Sequence, residues 1–493
     1  MINMSSNRKA FKQLFLMIIL TMLTQLITLL KLSVTASQFG ATTQMDAFNF
    51  INSISTFLFS FIGTGITTVL IPAIINKINR KSINNFISIL YSVALLVIII
   101  IVIIRRPIIQ AFSSNSLEFV EIASSLMLIT LISQFFNTVI GVTNAVFQCN
   151  GKYNIPKILT LITTTLLTIM VVLNSNLNIY EYAFYILITG FINMIMQVYI
   201  TEKDGFKYRP IINFNDDNLK DMMRVFIPTV FSSGLYQISL LTDSMISSKL
   251  GEGQISILSY SNSIMSMINM LLIGNLMTYI YPKITKFINS EDGKKYLFDY
   301  FMFFNAIMCL MVAGFFVVGK EGITLLYQRG RFNSSVTDVV YMCTLIYIIG
   351  LPINVIRDLV YRYFYAKGDT KITFINSITA SIVNIVISII LSNFIGIYGI
   401  VLGTVITSVF SLTSILIRFN RRYVLDIDKI KIIIENCKIF IICFLSIAIT
   451  LTLKHYLIIN NELVSILVYG ICVTSIYVIL LILLKSNLKN VKL

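Results

Sequence analysis

The sequence predicts an all-α integral membrane protein with fourteen transmembrane helices, arranged as two six-helix lobes related by an internal repeat plus two C-terminal helices. Three observations predict this fold class. Of the 493 residues, 56% are hydrophobic and only 12% are charged, whereas soluble domains carry about 25% charged residues. Apolar runs of transmembrane length recur along most of the chain, and several motifs of the first half return in the same order in the second half.

The individual spans follow from the length of these apolar runs. A helix needs about 20 predominantly apolar residues to cross a bilayer. The first run follows a basic N-terminus and has no small-residue cleavage site after it, so we interpret it as a retained span and not as a signal peptide. The predicted spans are 11–34, 46–75, 86–110, 118–148, 155–175, 180–201, 219–248, 254–282, 296–318, 336–366, 372–394, 396–417, 430–453 and 462–484.

The distribution of Lys and Arg predicts the orientation of these spans. Cytoplasmic loops of membrane proteins are enriched in both residue types. With the N-terminus inside, most of the cations fall on inner segments, and both termini are cytoplasmic. The outer loops hold only Arg105, Arg106, Lys249, Lys320, Arg329, Arg331 and Lys454. This asymmetry accounts for the net charge of +16 without a nucleic-acid partner.

Two pairs of motifs indicate that the chain contains an internal repeat. SQFGATTQMDAF, from Ser37, corresponds to SKLGEGQISILSYSN, from Ser248, and FQCNGK, from Phe147, corresponds to FYAKGD, from Phe364. Each copy has an even number of spans, and such a pair of bundles favours a transporter that alternates access to a central site. The predicted domains are an N-lobe at 1–215 (spans 1–6), a C-lobe at 216–425 (spans 7–12), and spans 13 and 14 at 426–493.

Charged side chains within the first and seventh spans are candidate site residues, because charges inside a membrane are costly and mark function. Lys31 lies toward the outer end of span 1, where it either snorkels to the interface or binds substrate. Asp243 holds nearly the equivalent place in span 7, and we hypothesise that it pairs with Lys31 when an outer gate closes. Asp46 opens span 2, where an acid suits a helix N-terminus. Capping and gating both remain open for Asp46.

Span 10 carries a second group of charges. Arg357 lies well inside the predicted span, and we predict that it and Arg362 bind substrate. Asp358 is four residues before Arg362, so the two side chains could pair on one helix face. We assign Asp358 to gating or coupling, with local stabilisation of the helix as the alternative.

The sequence contains no recognisable catalytic or metal-binding motif. The single histidine, His455, lies in an outer segment, and the six cysteines are scattered among apolar runs. Nucleotide-binding loops and zinc-protease motifs are absent from the sequence. We therefore predict a protein that is not an enzyme and that uses neither a cofactor nor a metal. Transport would draw on the membrane potential or an ion gradient.

Four stretches carry a family resemblance. FGATTQMDAF, LGEGQISILSYSN, LLYQRGRFNSSVTD and FYAKGDTKITF resemble motifs of the MurJ (MviN) lipid II flippases, within the multidrug/oligosaccharidyl-lipid/polysaccharide exporter superfamily, over about residues 10–420. The resemblance implies a flippase of the bacterial cytoplasmic (inner) membrane. It would move an undecaprenyl-pyrophosphate-linked saccharide from the inner to the outer leaflet. It also implies a basic central cavity and a lipid-tail groove built partly by spans 13 and 14.

The resemblance also assigns positions. Lys31 falls where the family has a cavity arginine, Asp46 matches a family aspartate, and Arg362 matches a frequent arginine. Phe59 and Ser263 stand where typical members have further cavity arginines. Lipid II and a capsular, exopolysaccharide or teichoic-acid precursor therefore both remain open as substrates. A drug or cation antiporter and a non-transporting scaffold are further alternatives. The expected partners are the lipid-linked glycan, membrane lipid and proteins of cell-wall or polysaccharide synthesis.

Overall fold

The computed structural model describes residues 4–113, 116–270, 293–367, 369–423, 429–457 and 459–484, and all regular secondary structure within these ranges is helical. The helices are α1 Met4–Phe39, α2 Thr43–Ile75, α3 Arg80–Ile103, α4 Arg105–Phe112, α5 Leu117–Cys149, α6 Asn154–Leu173, α7 Ile179–Lys203, α8 Asp217–Ser248, α9 Gln254–Asn269, α10 Gly293–Tyr327, α11 Ser334–Ile349, α12 Leu351–Ala366, α13 Thr370–Ile395, α14 Ile397–Arg422, α15 Lys429–Tyr456 and α16 Glu462–Leu483.

Many of these helices have the length and composition of membrane spans. Within the described residues, eleven spans are long and apolar enough to cross a bilayer, with α11 and α12 together counted as one. The all-helical, multi-pass character of the chain is therefore confirmed. The helices α2, α8 and α9 coincide with predicted spans but are not among these eleven, and predicted span 8 continues into 271–282, outside the described residues. The count of fourteen and the six-helix lobes stay predictions.

Two predicted spans differ from the observed helices close to a proline, although α2 continues through Pro72. Proline cannot donate to the carbonyl four residues earlier, and its ring clashes there. Within predicted span 3 (86–110), helix α3 ends at Ile103, and the separate helix α4 carries Pro107. Predicted span 10 divides into α11 and α12 just before Pro352, where the Gly350 amide donates to the Tyr347 carbonyl at 3.1 Å.

The chain divides into two compact units, Met1–Ser256 and Ile257–Leu493. The boundary falls inside α9, so the first turn of that helix belongs to the first unit. The predicted lobes at 1–215 and 216–425, and the segment at 426–493, stay predictions.

In the first unit, α2 is the central helix and packs against α5 and α8, while α1 packs against α6. Its interior combines apolar and small polar side chains. Phe50 and Phe119 are fully buried and their ring centroids lie 5.6 Å apart. The buried hydroxyls of Ser55 and Thr130 share a hydrogen bond of 2.9 Å. Hydrogen bonds of this kind help helices associate where lipid supplies no hydrophobic driving force.

In the second unit, α10 packs against α15 and α16, and α13 packs against α14. The α13–α14 contact depends on two small residues one helical turn apart. A Cβ on Gly399 would lie 2.3 Å from the Leu391 carbonyl carbon, and one on Gly403 would lie 2.8 Å from the Ser388 hydroxyl. Small residues at this spacing let two backbones approach closely.

Candidate functional site

The N-terminus of α2 receives its acceptor from a distant part of the chain. The side chain of Thr42, at the N-cap position, makes no capping hydrogen bond to α2 and donates back to the Phe39 carbonyl at 3.0 Å. The first amides of a helix need such an acceptor. Glu252 supplies it: one carboxylate oxygen accepts from the Thr43 amide at 3.0 Å and from the Thr43 hydroxyl at 2.7 Å.

The reverse contact is made by Asp46, in the first turn of α2. Its side chain is 1% exposed. One oxygen accepts from the Gly253 amide at 2.6 Å, and the other accepts from the amide and hydroxyl of Ser256 at 2.7 and 2.6 Å. Gly253 immediately precedes α9 and Ser256 is in its first turn. Asp46 therefore caps α9 from another helix, and the negative charge suits the positive end of the helix dipole.

Gly253 allows this close approach. Its φ is +81°, and a Cβ at this position would lie 2.8 Å from the Ala41 carbonyl oxygen. Glycine adopts such a backbone conformation without the strain that a Cβ would cause. The second glycine of the Gly251-Glu252-Gly253 turn is therefore required by the geometry of the contact.

We call this arrangement the reciprocal latch, formed by Thr43, Asp46, Glu252, Gly253 and Ser256. It lies within the first compact unit and ties the first repeat motif to the second. Each of the two helix N-termini is capped by a carboxylate from the other motif. The two halves differ in environment, since Asp46 is buried and Glu252 is exposed. The hydrogen bonds from the Thr43 hydroxyl and then its amide lower the pKa of Glu252 below its usual value.

Below the latch, α2 and α8 present polar side chains to each other. The Ser244 hydroxyl donates to the Ser53 hydroxyl at 3.1 Å. Asn49 is 8% exposed and Asp243 is 5% exposed, so both are buried. Lys31, on α1, is half-buried. The pairing of Lys31 with Asp243 stays a prediction.

The predicted charges of α12 lie in the second unit. Arg357 Nη2 lies 3.1 Å from Asp358 Oδ1, and these side chains are 26% and 36% exposed. The guanidinium of Arg357 also lies over the Tyr361 ring, 5.9 Å from its centroid. Arg362 is half-buried. Asp358 thus pairs with its neighbour Arg357, and its pairing with Arg362 stays a prediction.

Two positions that the resemblance marked as departures have ordinary surroundings. Phe59 is 4% exposed within the first unit. Ser263, in the second unit, donates its hydroxyl to the Ser259 carbonyl at 2.8 Å, one turn earlier in α9. Within the described residues, there is also no cluster of three or more His, Cys, Asp or Glu side chains that could hold a metal ion.

Sequence reasoning identified Asp46 but missed its partners. Glu252, Gly253 and Ser256 belong to a quoted repeat motif, yet Glu252 has no acidic counterpart in the first copy, which reads Gly-Ala-Thr-Thr. An acid gained in only one copy of a repeat is the signal that would have found Glu252.

The family model and a curated relative indicate the same family. The model of the family described as "Lipid II flippase MurJ" matches residues 35–470. A curated relative from Rickettsia prowazekii, named "Probable lipid II flippase MurJ", is 23% identical over 462 residues, which are 90% of each chain.

Solved structures show the same fold. The structure titled "Lipid II flippase MurJ, inward closed conformation" has a TM-score of 0.81 and 21% identity, and the match covers 97% of this chain and all of that one. An inward-facing multidrug resistance MATE family transporter has a TM-score of 0.66 and 14% identity, with 80% and 94% covered. At these identities, the structural likeness shows the fold alone.

Proposed function

The chain belongs to the lipid II flippase MurJ family, whose model spans residues 35–470, and from this premise we propose that it moves lipid II across the cytoplasmic membrane of a bacterium. Lipid II is an undecaprenyl-pyrophosphate-linked saccharide and a precursor of peptidoglycan. The direction is from the inner to the outer leaflet, by alternating access. Family membership is the observation that carries this proposal, and the site geometry supplies the roles of individual residues.

We propose Lys31, Arg357 and Arg362 as substrate-binding cations, each a candidate contact for the pyrophosphate. All three are partly exposed, as ligands for an incoming anion must be. Arginine presents a planar fork of donors that matches phosphate oxygens, while lysine acts as a compact point charge. Asp358 holds the Arg357 guanidinium by their ion pair. We propose that this pair loosens when phosphate competes for the guanidinium.

The reciprocal latch acts as the outer gate. On the predicted orientation, the α1–α2 and α8–α9 turns lie on the outer face, so the latch closes that side. Opening requires the loss of the Asp46 and Glu252 hydrogen bonds and leaves the first amides of α2 and α9 to be solvated. Charge-assisted hydrogen bonds of this kind contribute about 1.5–3 kcal/mol each. The latch is therefore strong enough to hold one state and weak enough to open when binding energy favours the other.

The chain carries no nucleotide-binding motif. We therefore propose that the membrane potential or an ion gradient drives the cycle, with Asp243 as a coupling candidate. Both termini face the cytoplasm by the asymmetry of Lys and Arg. Membrane lipid and proteins of cell-wall synthesis are the proposed partners.

A second candidate substrate is a lipid-linked capsular, exopolysaccharide or teichoic-acid unit. The observation that favours it is the absence of arginine at Phe59 and Ser263, two positions where the resemblance implies cavity cations. A site with fewer arginines would bind the pyrophosphate less strongly and would depend more on contacts with the glycan.

Complementation tests the proposal. The resident lipid II flippase of a bacterium is depleted, this chain is expressed, and survival is measured together with the lipid II that is accessible at the outer surface. We expect survival and surface lipid II for the parent chain, and a loss of both for Lys31→Ala. Lys320→Ala is the matched control, because Lys320 is an exposed lysine of a predicted outer loop, and it should behave like the parent.

The contrary result is equally informative. If the chain is abundant in the membrane and binds no lipid II, and depleted cells die without surface lipid II, lipid II transport is refuted. Rescue of a strain that lacks a capsular or teichoic-acid precursor exporter would then support the second candidate.

A further inference from the structure

The segment that joins the two repeats folds back along α3. We call residues 204–216 the linker strap. The Asn85 side chain makes two hydrogen bonds to the strap backbone at Asn213. Its amide donates to the Asn213 carbonyl at 2.6 Å, and its oxygen accepts from the Asn213 amide at 2.9 Å. Ser88, about one turn further along α3, accepts from the Ile211 amide at 3.0 Å. The strap is therefore fixed in place on this helix.

The strap, α3 and α5 line an open cavity of about 460 Å³. It is lined by Ser88, Tyr91, Ser92, Leu95, Phe135, Tyr208, Pro210, Ile211 and Ile212. This volume lies within the range of about 300–1,000 Å³ found for ligand pockets. The Tyr91 and Tyr208 rings meet edge to face at 5.5 Å, and the Tyr208 hydroxyl shares a hydrogen bond of 2.9 Å with Ser88. The walls are thus mainly apolar, with hydroxyl groups on one side.

The outer wall of this cavity belongs to the surface that faces lipid. α3 is the most apolar of the candidate spans, with a mean hydropathy of 3.2 over its best window, and only 28% of that window is buried. Leu95 is 48% exposed and Ile212 is 58% exposed. In a protein that crosses the membrane many times, hydrocarbon chains cover such a face.

The charges around the cavity favour an anionic lipid. The strap carries Lys207 and Arg209 on either side of Tyr208, and both are exposed. Its acids are engaged elsewhere: Asp204 pairs with Lys152 at 2.6 Å, and Asp216 accepts from the first amides of α8. Among the ion pairs recorded for the described residues, neither Lys207 nor Arg209 has an acidic partner. After Asp204, the exposed Glu202 is the next opposing charge along the chain.

We propose that the linker strap and α3 form a binding site for an anionic phospholipid, with one acyl chain in the cavity and the phosphate on Lys207 and Arg209. Basic sites beside spans on the cytoplasmic side bind anionic headgroups, and the predicted orientation places the strap on that side. The site depends on the chain being embedded in a membrane and not on which substrate it transports. Through the strap, lipid would contact the segment that joins the two predicted repeats.

Tryptophan fluorescence tests this site directly, because the chain has no tryptophan of its own. Leu95→Trp places a reporter in the cavity wall. Val93→Trp is the matched control at nearly the same depth, since Val93 is 47% exposed and does not line the cavity. Each full-length variant is reconstituted in phosphatidylcholine vesicles with brominated phosphatidylglycerol or brominated phosphatidylcholine. Thermal unfolding verifies the fold, and Ser92→Trp replaces Leu95→Trp if that variant does not fold.

The expected result is a headgroup preference confined to the cavity. The Leu95→Trp reporter should be quenched at a lower mole fraction of brominated phosphatidylglycerol than of brominated phosphatidylcholine, by roughly fivefold for each contributing cation. The joint change Lys207→Gln and Arg209→Gln should abolish this preference. Lys220→Gln with Arg224→Gln should preserve it, because those cations pair with Asp217 and Asp221.

Three outcomes would overturn the proposal. They are an equal response of the cavity reporter to both lipids, a preference that survives the loss of Lys207 and Arg209, and a preference of the same size at Val93→Trp. The last outcome would indicate general attraction of anionic lipid to a basic protein.

Discussion

Removal of the Asp46 carboxylate should open the reciprocal latch. In Asp46→Ala, the Gly253 and Ser256 amides lose their acceptor in a buried setting. An unsatisfied buried donor costs about 1–3 kcal/mol, and water admitted to the vacated space recovers part of that cost. We expect a loss of about 3 kcal/mol from the closed state, which corresponds to a shift of roughly a hundredfold in the equilibrium between closed and open.

Thiol labelling measures this shift. Ser53→Cys is introduced into a chain whose native cysteines are replaced, since Cys437 is exposed and Cys149 and Cys472 are half-buried. Ser53 lies two helical turns below Asp46 and contacts Ser244. A membrane-impermeant thiol reagent applied from outside should label this cysteine about a hundred times faster when Asp46→Ala is also present. Asp46→Asn retains one acceptor oxygen and should give an intermediate rate.

The control variant removes a carboxylate cap that is local to one helix and does not connect the two repeat motifs. Glu181 accepts from the Asn178 amide at 3.1 Å at the N-terminus of α7, so Glu181→Ala removes a cap from the same unit. It should lower the thermal unfolding temperature and leave the labelling rate of Ser53→Cys within twofold of the parent. If Asp46→Ala also lowers stability without a change in labelling, the latch is a structural cap only, and the gating argument is refuted.

Three further predictions concern the latch and the cations. The folded pKa of Glu252 is depressed, so its contribution to the latch is present above the usual glutamate pKa of about 4.3 and is lost as the pH falls through the lower folded value. Labelling of Ser53→Cys should accelerate as the pH falls through that value. Glu252→Gln should remove this pH dependence. Gly253→Ala should destabilise the protein by about 1–3 kcal/mol, since the backbone conformation at this position is strained for any residue with a Cβ. Gly470→Ala is the control, because a Cβ there meets nothing within 4 Å, and it should leave the thermal unfolding temperature unchanged or slightly higher. Arg357→Ala should abolish surface-accessible lipid II at unchanged expression and Arg357→Lys should retain part of it; an Arg357→Ala variant that is as active as Lys320→Ala would remove Arg357 from the substrate site.

The sequence predicted the helices well, because a membrane restricts backbone to structures that satisfy their own hydrogen bonds. Apolar length then suffices to find most helices. The observed helices differ from the predicted spans where hydropathy is continuous but the backbone is interrupted. Pro107 and Pro352 are single residues inside apolar runs, and a pattern that counts only apolar length passes over them. Each proline lacks a donor for the preceding turn, but proline alone does not predict a break, because α2 continues through Pro72.

The candidate site was harder to predict for a different reason. Asp46 stands out in sequence because it is a charge beside an apolar run, but its role depends on which backbone amides approach it. Those amides belong to Gly253 and Ser256, more than 200 residues away. A sequence does not show which backbone amides will approach a given side chain. The Asn85 contact with the linker strap has the same character, since it is made to the backbone of Asn213.

The two acids of the latch do not occupy equivalent positions in the internal repeat, and this asymmetry predicts the order in which the latch opens. When Gly40 is aligned with Gly251, Asp46 corresponds to Ile257 and Glu252 corresponds to Ala41. Two aspartates at the symmetric positions would each require a facing helix N-terminus and would repel each other at close range. The chain has instead one buried acid in the first copy and one exposed acid in the second. The buried acid makes the stronger contact, because its donors have no water to replace it. The exposed acid can exchange its partner for water at lower cost, so we expect opening to begin at Glu252 and to be completed at Asp46.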